Sequence, residues 1–594
     1  MDGLLIFDAS SDLVYRKLND ELKKKFQELS PDPNDSDTNE IDDNAILQIF
    51  SPIINSQKIM FCQFDNTYSS FKCEYGNFVF GEYLGFMFIK IGQQTLEYMN
   101  RCVLVSISFA KRLCGTNLIS LKQEENKRDL FTDLIDMWEK LYQEEQSFLL
   151  DGIDRLIINA DVTNVINQTL QNVIEKLQQD PHSQRCHAFL FVDKKLAGIH
   201  SSRSAQKTNT SDIIFLFIIN KVLQSKLESK AINIQSHLFF LNGKYNSNQS
   251  GGSGGCIPHI VHTSLLDKMS LTLIIEYGNL NVSNNIYETF FALQKIQTLQ
   301  MQGDLEHLKT AFDNLESCFK QCIDAIRKAK FNSVEIDNAL KKFSSRWDVL
   351  RKKYQEYFKN FDKSVVLQIE SNMPIFLEEL KELFKTTCSD CAILDHGFER
   401  VLEISTMVEE KLLEFSEFLS VKAQRNLSIG SYLEDFPGLV HFIFVDRTNG
   451  SIFAPDFVTE TYIAKEKIWS MVELCRYYLV KGHTSIMWKD TSYNYSYFLW
   501  FEDQNGITIK PKDLENSFNN VNSLKPRYEP GILGGNFFQR LSEVCFPKMT
   551  MSKIRCYELF CIHLGLVTAT CALDHSRRLI ATISDVTGPS VFDI

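Results

Sequence analysis

The sequence predicts an α+β protein made of three similar sandwich domains, each an antiparallel sheet packed against helices, with a helical region between the second and the third. Three observations support this fold class. The same hairpin plan occurs three times, amphipathic helical stripes fill the region between the second and third copies, and the chain of 594 residues is too long for a single hydrophobic core.

The clearest hairpin begins with an apolar strand over Leu439–Val445, which leads into a polar turn containing Asn449-Gly450 and then a second strand. Asn-Gly between two apolar runs favours a tight β-hairpin, because both residues tolerate a positive φ. Cys186–His200 and Gly3–Tyr15 have the same shape. We therefore predict three repeated domains, at residues 1–160, 185–300 and 431–594.

The first domain continues with a helix, a group of short strands and a helical end. The helix is predicted at Tyr15–Leu29 or, after an acidic loop, at Ala45–Asn55. Four strands are predicted next, at Ile59–Phe64, Ser69–Glu74, Phe78–Glu82 and Phe86–Ile91. Helices follow at Leu96–Leu113 and Asp129–Leu156. This order is typical of one antiparallel sheet with helices against it.

The second and third domains repeat that order. For the second domain we predict a helix at Asp212–Leu223, a strand at His237–Leu241 and two strands across Ile260–Tyr277. A closing helix is predicted at Asn285–Leu299. For the third domain we predict a helix at Glu460–Lys481 and strands at Thr484–Trp488 and Tyr493–Glu502. Two further helical segments are predicted at Asn536–Val544 and Lys553–Ile580.

The spacing of apolar residues in 301–425 differs from that in the three sandwich domains. Apolar side chains recur there at alternating spacings of three and four in the stretches 305–326, 336–358 and 401–419. This period indicates helices with one buried face. Each stretch covers about three heptads, which favours packing within the protein or on a partner over a free coiled coil.

Composition and charge argue against several classes of protein. The formal net charge is −12, which argues against a nucleic-acid-binding protein, because such proteins need a concentrated basic surface. The first ten residues have no basic segment of the kind that opens a signal peptide, and the longest wholly apolar run is Ile213–Ile219. We expect a cytoplasmic protein whose cysteines are reduced thiols.

The familiar catalytic and metal-binding motifs are weak or absent. Residues 251–255 match G-x-S-x-G, but the strand and helix that a nucleophile elbow needs do not flank them. Cys388 and Cys391 form a single CxxC near His396, whereas structural zinc usually takes four ligands. Gly534-Gly535 before a helix favours a tight turn over an anion site. No nucleotide-binding glycine motif occurs. We therefore expect no catalytic residue, cofactor or metal.

Several long segments resemble the family of the Hermansky–Pudlak syndrome protein one. In the third domain the resemblance is carried by FPGLVHFIFVDRTNG, KIWSMVELCRYYLVKGHT, YSYFLWFE, GILGG and RCYEL, at residues 436–450, 467–484, 495–502, 531–535 and 555–559. Residues 144–157 and 186–205 agree with it, and residues 65–78 match more loosely. The resemblance implies three longin domains, each a five-stranded antiparallel sheet in an α–β–α sandwich.

The resemblance also implies a function. Members of that family pair with the Hermansky–Pudlak syndrome protein four in the biogenesis-of-lysosome-related-organelles complex three. This heterodimer is a guanine-nucleotide exchange factor for Rab GTPases of lysosome-related organelles, which include melanosomes and other pigment granules. The expected location is therefore the cytoplasm, with transient peripheral association with endosomal or lysosome-related organelle membranes. An exchange factor performs no covalent catalysis.

Related tri-longin exchange factors pair edge to edge through their first domains and form the GTPase platform there. The resemblance therefore implies a partner-binding or GTPase-binding set in the first domain, comprising Ile46, Phe50, Ile53, Asp65, Asn66, Thr67 and Tyr68. The alternative is that the three apolar residues face the sheet of their own domain and that the four others form an ordinary turn.

Two other functions remain open at this point. A non-catalytic trafficking tether or adaptor would use the same domain surfaces, and the sequence does not separate it from an exchange factor because both need partner-binding surfaces. A hydrolase with an unrecognised site is the least favoured class.

Overall fold

A computed structural model of the chain describes residues 2–29, 43–64, 67–74, 76–180, 183–226, 233–242, 256–266, 268–277, 280–329, 331, 333–360, 363–388, 398–457, 464–511 and 529–587. The chain divides into two compact units. One comprises Met1–Asp133, Ser236–Val261 and Ile274–Phe398, and the other comprises Leu134–Gln235, His262–Leu273 and Glu399–Ile594. None of the helices in the described ranges is both long and apolar enough to cross a bilayer.

The first domain is a five-stranded antiparallel sheet with helices against it. Its elements are β1 (Asp2–Phe7), β2 (Leu13–Leu18), α1 (Asp20–Leu29), α2 (Asp43–Phe64), β3 (Ser70–Cys73), β4 (Gly76–Tyr83), β5 (Phe86–Gly92), α3 (Leu96–Cys114), α4 (Ser120–Gln123) and α5 (Glu125–Glu144). The strand order is β2-β1-β5-β4-β3. Thr95 caps the start of α3 by accepting a hydrogen bond from the Tyr98 backbone N–H.

One predicted strand of this domain is wrong. Residues 59–64 continue α2 instead of forming a strand. The buried residues Ile46, Phe50, Ile54 and Gln57 recur at helical spacing, so the helix keeps one face on the sheet well past Asn55. Both helices that the sequence offered as alternatives are present, as α1 and α2.

The second domain repeats the same sheet. Its elements are α6 (Gln146–Leu149), β6 (Ile153–Asp154), α7 (Ala160–Leu177), β7 (Cys186–Val192), β8 (Lys195–Ser201), α8 (Thr210–Lys226), β9 (Asn233–Asn242), β10 (Cys256–Leu266), β11 (Met269–Glu276) and α9 (Leu280–Gln302). The strand order is β8-β7-β11-β10-β9, apart from β6, which belongs to another sheet. Helix α7 packs against β7 and β8, and the sequence pattern had indicated no helix there.

The helical region is confirmed and has more helices than the stripes indicated. Four long helices follow α9, namely α10 (Leu305–Ala329), α11 (Val334–Asn360), α12 (Lys363–Cys388) and α13 (Phe398–Gln424). Aromatic rings fill the space between α10, α11 and α12. The Trp347 ring stacks on Phe319 with centroids 4.7 Å apart, and Phe343 stacks on Phe376 at 4.9 Å.

The third domain has the same strand plan with additions. Its elements are β12 (Leu439–Asp446), β13 (Ser451–Phe453), α14 (Lys465–Val480), β14 (Ser485–Lys489), β15 (Tyr493–Glu502), β16 (Thr508–Ile509), α15 (Phe537–Cys545), β17 (Arg555–Leu564) and α16 (Ala569–Thr587). The order is β14-β15-β17-β12-β13-β6, with β16 paired to β15. Numbered within each domain, and with the short strand β16 left out, all three sheets contain the order 2-1-5-4-3.

The prediction of helices across Lys553–Ile580 is wrong in its first half. Arg555–Leu564 is the central strand β17, which pairs with both β12 and β15, and the helix begins only at Ala569. A strand that is buried on both faces has a nearly continuous apolar sequence. Such a run is not distinguished from a buried helix by its period.

Candidate partner-binding surface

The first sheet has an open edge at β3. This strand pairs with β4 on one side and has no second neighbour among the described strands. The outer backbone N–H and C=O groups of an edge strand can therefore pair with another polypeptide. Lys72 is exposed on this strand, between the half-buried Phe71 and Cys73. The edge is a candidate site of strand addition.

Helix α2 lies across the sheet beside this edge. Ile46 and Phe50, two of the residues that the resemblance implied in partner contact, are 0% and 1% exposed. They belong to the core of their own domain, together with Phe7 and Ile89. The alternative interpretation of these two side chains is therefore the one that the structure supports, while Ile53 is only half-buried.

Tyr68 is held between α2 and the sheet. Its hydroxyl donates to the Ile53 carbonyl at 3.2 Å, and its own carbonyl accepts from the Gln57 side-chain amide at 2.7 Å. Its ring lies edge-on to Phe71 and Phe80, with centroids 5.9 and 5.4 Å away. Tyr68 is thus a positioning residue for the start of β3, and Thr67 beside it is exposed. The other two members of the predicted set, Asp65 and Asn66, lie outside the described residues.

Two exposed apolar residues of α2 were not in the predicted set. Ile59 is 54% exposed and Phe64 is 63% exposed. If the helical period of Ile46 and Phe50 is extended past Asn55, Ile59 falls on the side opposite the buried face. That extension was the signal that could have identified it, and the incorrect strand at 59–64 concealed it.

A cavity of about 190 Å³ lies between the two helices α1 and α2 and the strands β3, β4 and β5. Its lining is apolar except for one lysine. The lining residues are Leu22, Lys25, Phe26, Ile49, Phe50, Ile53, Phe71, Cys73, Phe78 and Ile91. Phe71 and Cys73 come from the open edge strand, so the cavity and the edge form one surface. We call β3 and this cavity together the edge surface.

The described residues offer no metal centre. Among them, no group of three or more histidine, cysteine, aspartate or glutamate side chains is placed to hold an ion. Burial raises the pKa of the Cys318 thiol to about 11 and that of Cys322 to about 12, which keeps both as unreactive thiols. Cys388 is buried at the end of α12, while Cys391, His396 and the G-x-S-x-G match at 251–255 lie outside the described residues.

The motifs that carried the resemblance in the third domain converge on one buried polar cluster. The Arg447 guanidinium binds the Glu558 carboxylate and the Leu150 carbonyl, and it lies 4.1 Å from the centre of the Phe538 ring. Tyr497 donates to the other oxygen of Glu558 at 2.6 Å. Arg447 and Glu558 are 4% and 2% exposed, so water does not reach the pair. This cluster stabilises the packing of the third domain.

Asp151 connects two further motifs in the same place. Its carboxylate accepts from the backbone N–H groups of Ile532 at 2.7 Å and Leu533 at 3.0 Å. Its backbone has φ of 50°, a conformation that favours Asp, Asn or Gly. The glycine-rich turn after residue 530 is thereby bound to the segment before β6. Gly535 has φ of 134° and closes that turn before α15, as the tight-turn interpretation of Gly534-Gly535 predicted.

The segment 145–156 also connects the second and third domains, through residues that lie within one compact unit. Strand β6 pairs in parallel with β13 of the third domain. Just after β6, the Leu156 N–H donates to the carbonyl of Leu196 in β8 of the second domain at 3.0 Å. Lys195 is 5% exposed and binds Asp154 and Asp456. Burial opposes the charge of Lys195, but the two carboxylates together raise its pKa. A buried cation between two anions fixes the relative position of the segments that carry them.

Comparison with protein families agrees with this architecture. Residues 2–141 match the family model of the first longin domain of FUZ, MON1 and HPS1, and residues 438–587 match that of the third longin domain of the same proteins. Both matched segments are longin domains similar to those of FUZ, MON1 and HPS1. The predicted fold class is confirmed, with longin domains at both ends and helices in the middle. The edge surface belongs to the first of these longin domains.

Proposed function

We propose that this chain is one subunit of a heterodimeric guanine-nucleotide exchange factor for Rab GTPases in the biogenesis of lysosome-related organelles. FUZ, MON1 and HPS1 are trafficking proteins, and some members of their family are components of Rab exchange factors. The observation that best supports the proposal is the open β3 edge in the first longin domain, with exposed apolar residues on α2 beside it. The proposed partner is the Hermansky–Pudlak syndrome protein four.

Nucleotide exchange needs shaped surfaces and no covalent chemistry. A GTPase that binds GDP with a picomolar constant gains about 16 kcal/mol from it. A protein that binds the nucleotide-free GTPase more tightly than the loaded one weakens nucleotide binding by the same factor, since the two equilibria are linked. In this proposal the first domains of the two subunits form the GTPase platform, and the chain itself carries no catalytic residue and binds no cofactor.

The remaining parts have supporting roles in this proposal. In the proposed complex the second and third domains, which contact each other through segment 145–156 and Lys195, carry further partner contacts. The complex works in the cytoplasm and associates transiently with endosomal or lysosome-related organelle membranes, including those of pigment granules. It does not bind nucleic acid, in keeping with the net charge of −12.

We expect the heterodimer to accelerate release of fluorescent GDP from a Rab of lysosome-related organelles on the order of 100-fold, because coupled binding changes affinity by up to about that factor and changes in affinity lie mostly in the dissociation rate. The chain alone should have little effect, because half of the platform is absent. Stopped-flow fluorescence with a panel of Rab proteins measures this directly. Rab binding without acceleration would contradict the exchange function and favour a tether or adaptor.

A further inference from the structure

We propose that the cavity of the edge surface receives one bulky apolar side chain, aromatic or aliphatic, from a strand of the partner subunit that extends the first sheet at β3. This inference rests on the proposed heterodimer and adds the residue class that the partner must present. It concerns an anchor within the pairing surface, and it is independent of whether the pair then acts on a GTPase.

The cavity is open on one side and its lining is almost entirely apolar, so it leaves apolar surface in contact with water until a partner covers it. Protein interiors are packed as densely as organic crystals, and voids larger than a water molecule are few. The volume of about 190 Å³ exceeds that of engineered apolar cavities which stay dry and bind benzene. A phenylalanine, leucine or methionine side chain therefore fits, whereas a polar ligand would lose its hydrogen bonds to water.

The position of the cavity favours a polypeptide as its occupant. Phe71 and Cys73 are alternate residues of β3, so both project to the same face of the sheet, and both line the cavity. A strand that pairs with the open edge of β3 places its own alternate side chains on that face, about 5 Å from those two residues. A free hydrocarbon chain would fill the volume but would leave the backbone groups of the edge unpaired.

The rim of the cavity is suited to an anchor that enters from the edge. Ile49, Ile53, Phe71 and Cys73 are half-buried, whereas the interior residues Phe50 and Ile91 are 1% and 0% exposed. Half-buried apolar residues around an apolar interior become fully buried when a partner covers them. This is the arrangement of a binding hot spot, in which a central side chain fills a pocket and its neighbours exclude water.

The experiment fills the cavity from within and measures pairing. Full-length chains carrying Ile49→Phe or Cys73→Leu are titrated with the Hermansky–Pudlak syndrome protein four, and the dissociation constants are compared with that of the unaltered chain. Leu367→Phe is the matched control, since Leu367 is 68% exposed on α12 and is not part of the lining of this cavity. Circular dichroism and the unfolding midpoint of each free chain are measured in parallel.

We expect both filling variants to raise the dissociation constant about 30-fold, the cost of losing one hot-spot side chain. Their unfolding midpoints should stay close to that of the unaltered chain, because the cavity is open on one side, and Leu367→Phe should bind as the unaltered chain does. If Ile49→Phe does not fold, Cys73→Leu decides. Folded filling variants that pair normally would overturn the inference, and so would an unaltered chain that does not pair. Normal pairing of the unaltered chain without nucleotide release would overturn the exchange function alone.

Discussion

Replacing Arg447 with methionine is expected to destabilise the third domain by about 3–5 kcal/mol, the usual effect of removing one member of a buried ion pair. Glu558 would then be a buried charge without its cation, and the Leu150 carbonyl would lose its donor. Hydrogen exchange of the amides in β12 and β17 measures the free energy of opening of this sheet directly.

Two further variants separate the pair from its surroundings. Arg447→Met combined with Glu558→Leu should recover part of the loss, because two apolar residues leave no uncompensated charge. Lys467→Met is the control, since its ion pair with Asp490 has side chains that are 48% and 29% exposed and should contribute less than about 1 kcal/mol. A loss below 1 kcal/mol for Arg447→Met would show that the cluster does not hold the domain together.

The third domain is expected to lose stability as the pH falls from about 6.5 towards 4. Burial lowers the pKa of His563 to about 4 and that of His441 to about 3. Neither ring nitrogen of His563 has a hydrogen-bond partner within the described part of the chain. A proton added to this ring is therefore not stabilised by a hydrogen bond there. Between these pKa values and the ordinary 6.5, the unfolded state binds more protons than the folded state, and stability decreases with falling pH.

The expected loss is about 4 kcal/mol between pH 6.5 and 4.5 for the two histidines together, from about 1.4 kcal/mol per proton and pH unit. Asp154 acts in the opposite direction over part of this range, since burial raises its pKa to about 6. The contribution of His563 is therefore isolated by His563→Leu, which should match the unaltered chain at pH 7.5 and be the more stable of the two at pH 5. Parallel pH profiles of the two chains in urea unfolding would contradict the assignment.

The repeated sandwich could be predicted from the sequence because its signals are local. An apolar strand, Asn449-Gly450 and a second strand lie within a short stretch, and the turn chemistry needs no distant contact. The central strand β17 could not be recognised in the same way. Its two faces are covered by elements that are far away in the sequence, so its apolar run had no period of two to indicate a strand.

The contacts that join the motifs could not be predicted from local sequence patterns. Arg447 meets Leu150 across a separation of 297 residues, and Asp151 meets Ile532 across 381. Each motif was visible in the sequence, but nothing in it indicates that another motif completes its hydrogen bonds. Asp151 appears as an ordinary turn residue until the two N–H groups beside it are known.

In the predicted partner-binding set, Ile46 and Phe50 are core residues, and contact of the other members with a partner stays a prediction. Helix α2 and the start of β3 are where the resemblance placed them. The sequence prediction ended this helix at Asn55, so the exposed residues Ile59 and Phe64, which lie beyond that end, were not in the predicted set. The cavity depends on side chains from α1, α2 and three strands, and no sequence pattern describes such a volume.

In the proposed complex this chain recognises another protein through the open edge of its first longin domain. Hydrogen–deuterium exchange of the full chain, with and without the Hermansky–Pudlak syndrome protein four, tests it most directly. We predict strong new protection in Ser70–Cys73 and in the last turns of α2 when the partner is bound. Protection confined to other edges, such as β14 of the third domain, with none at β3, would contradict the claim.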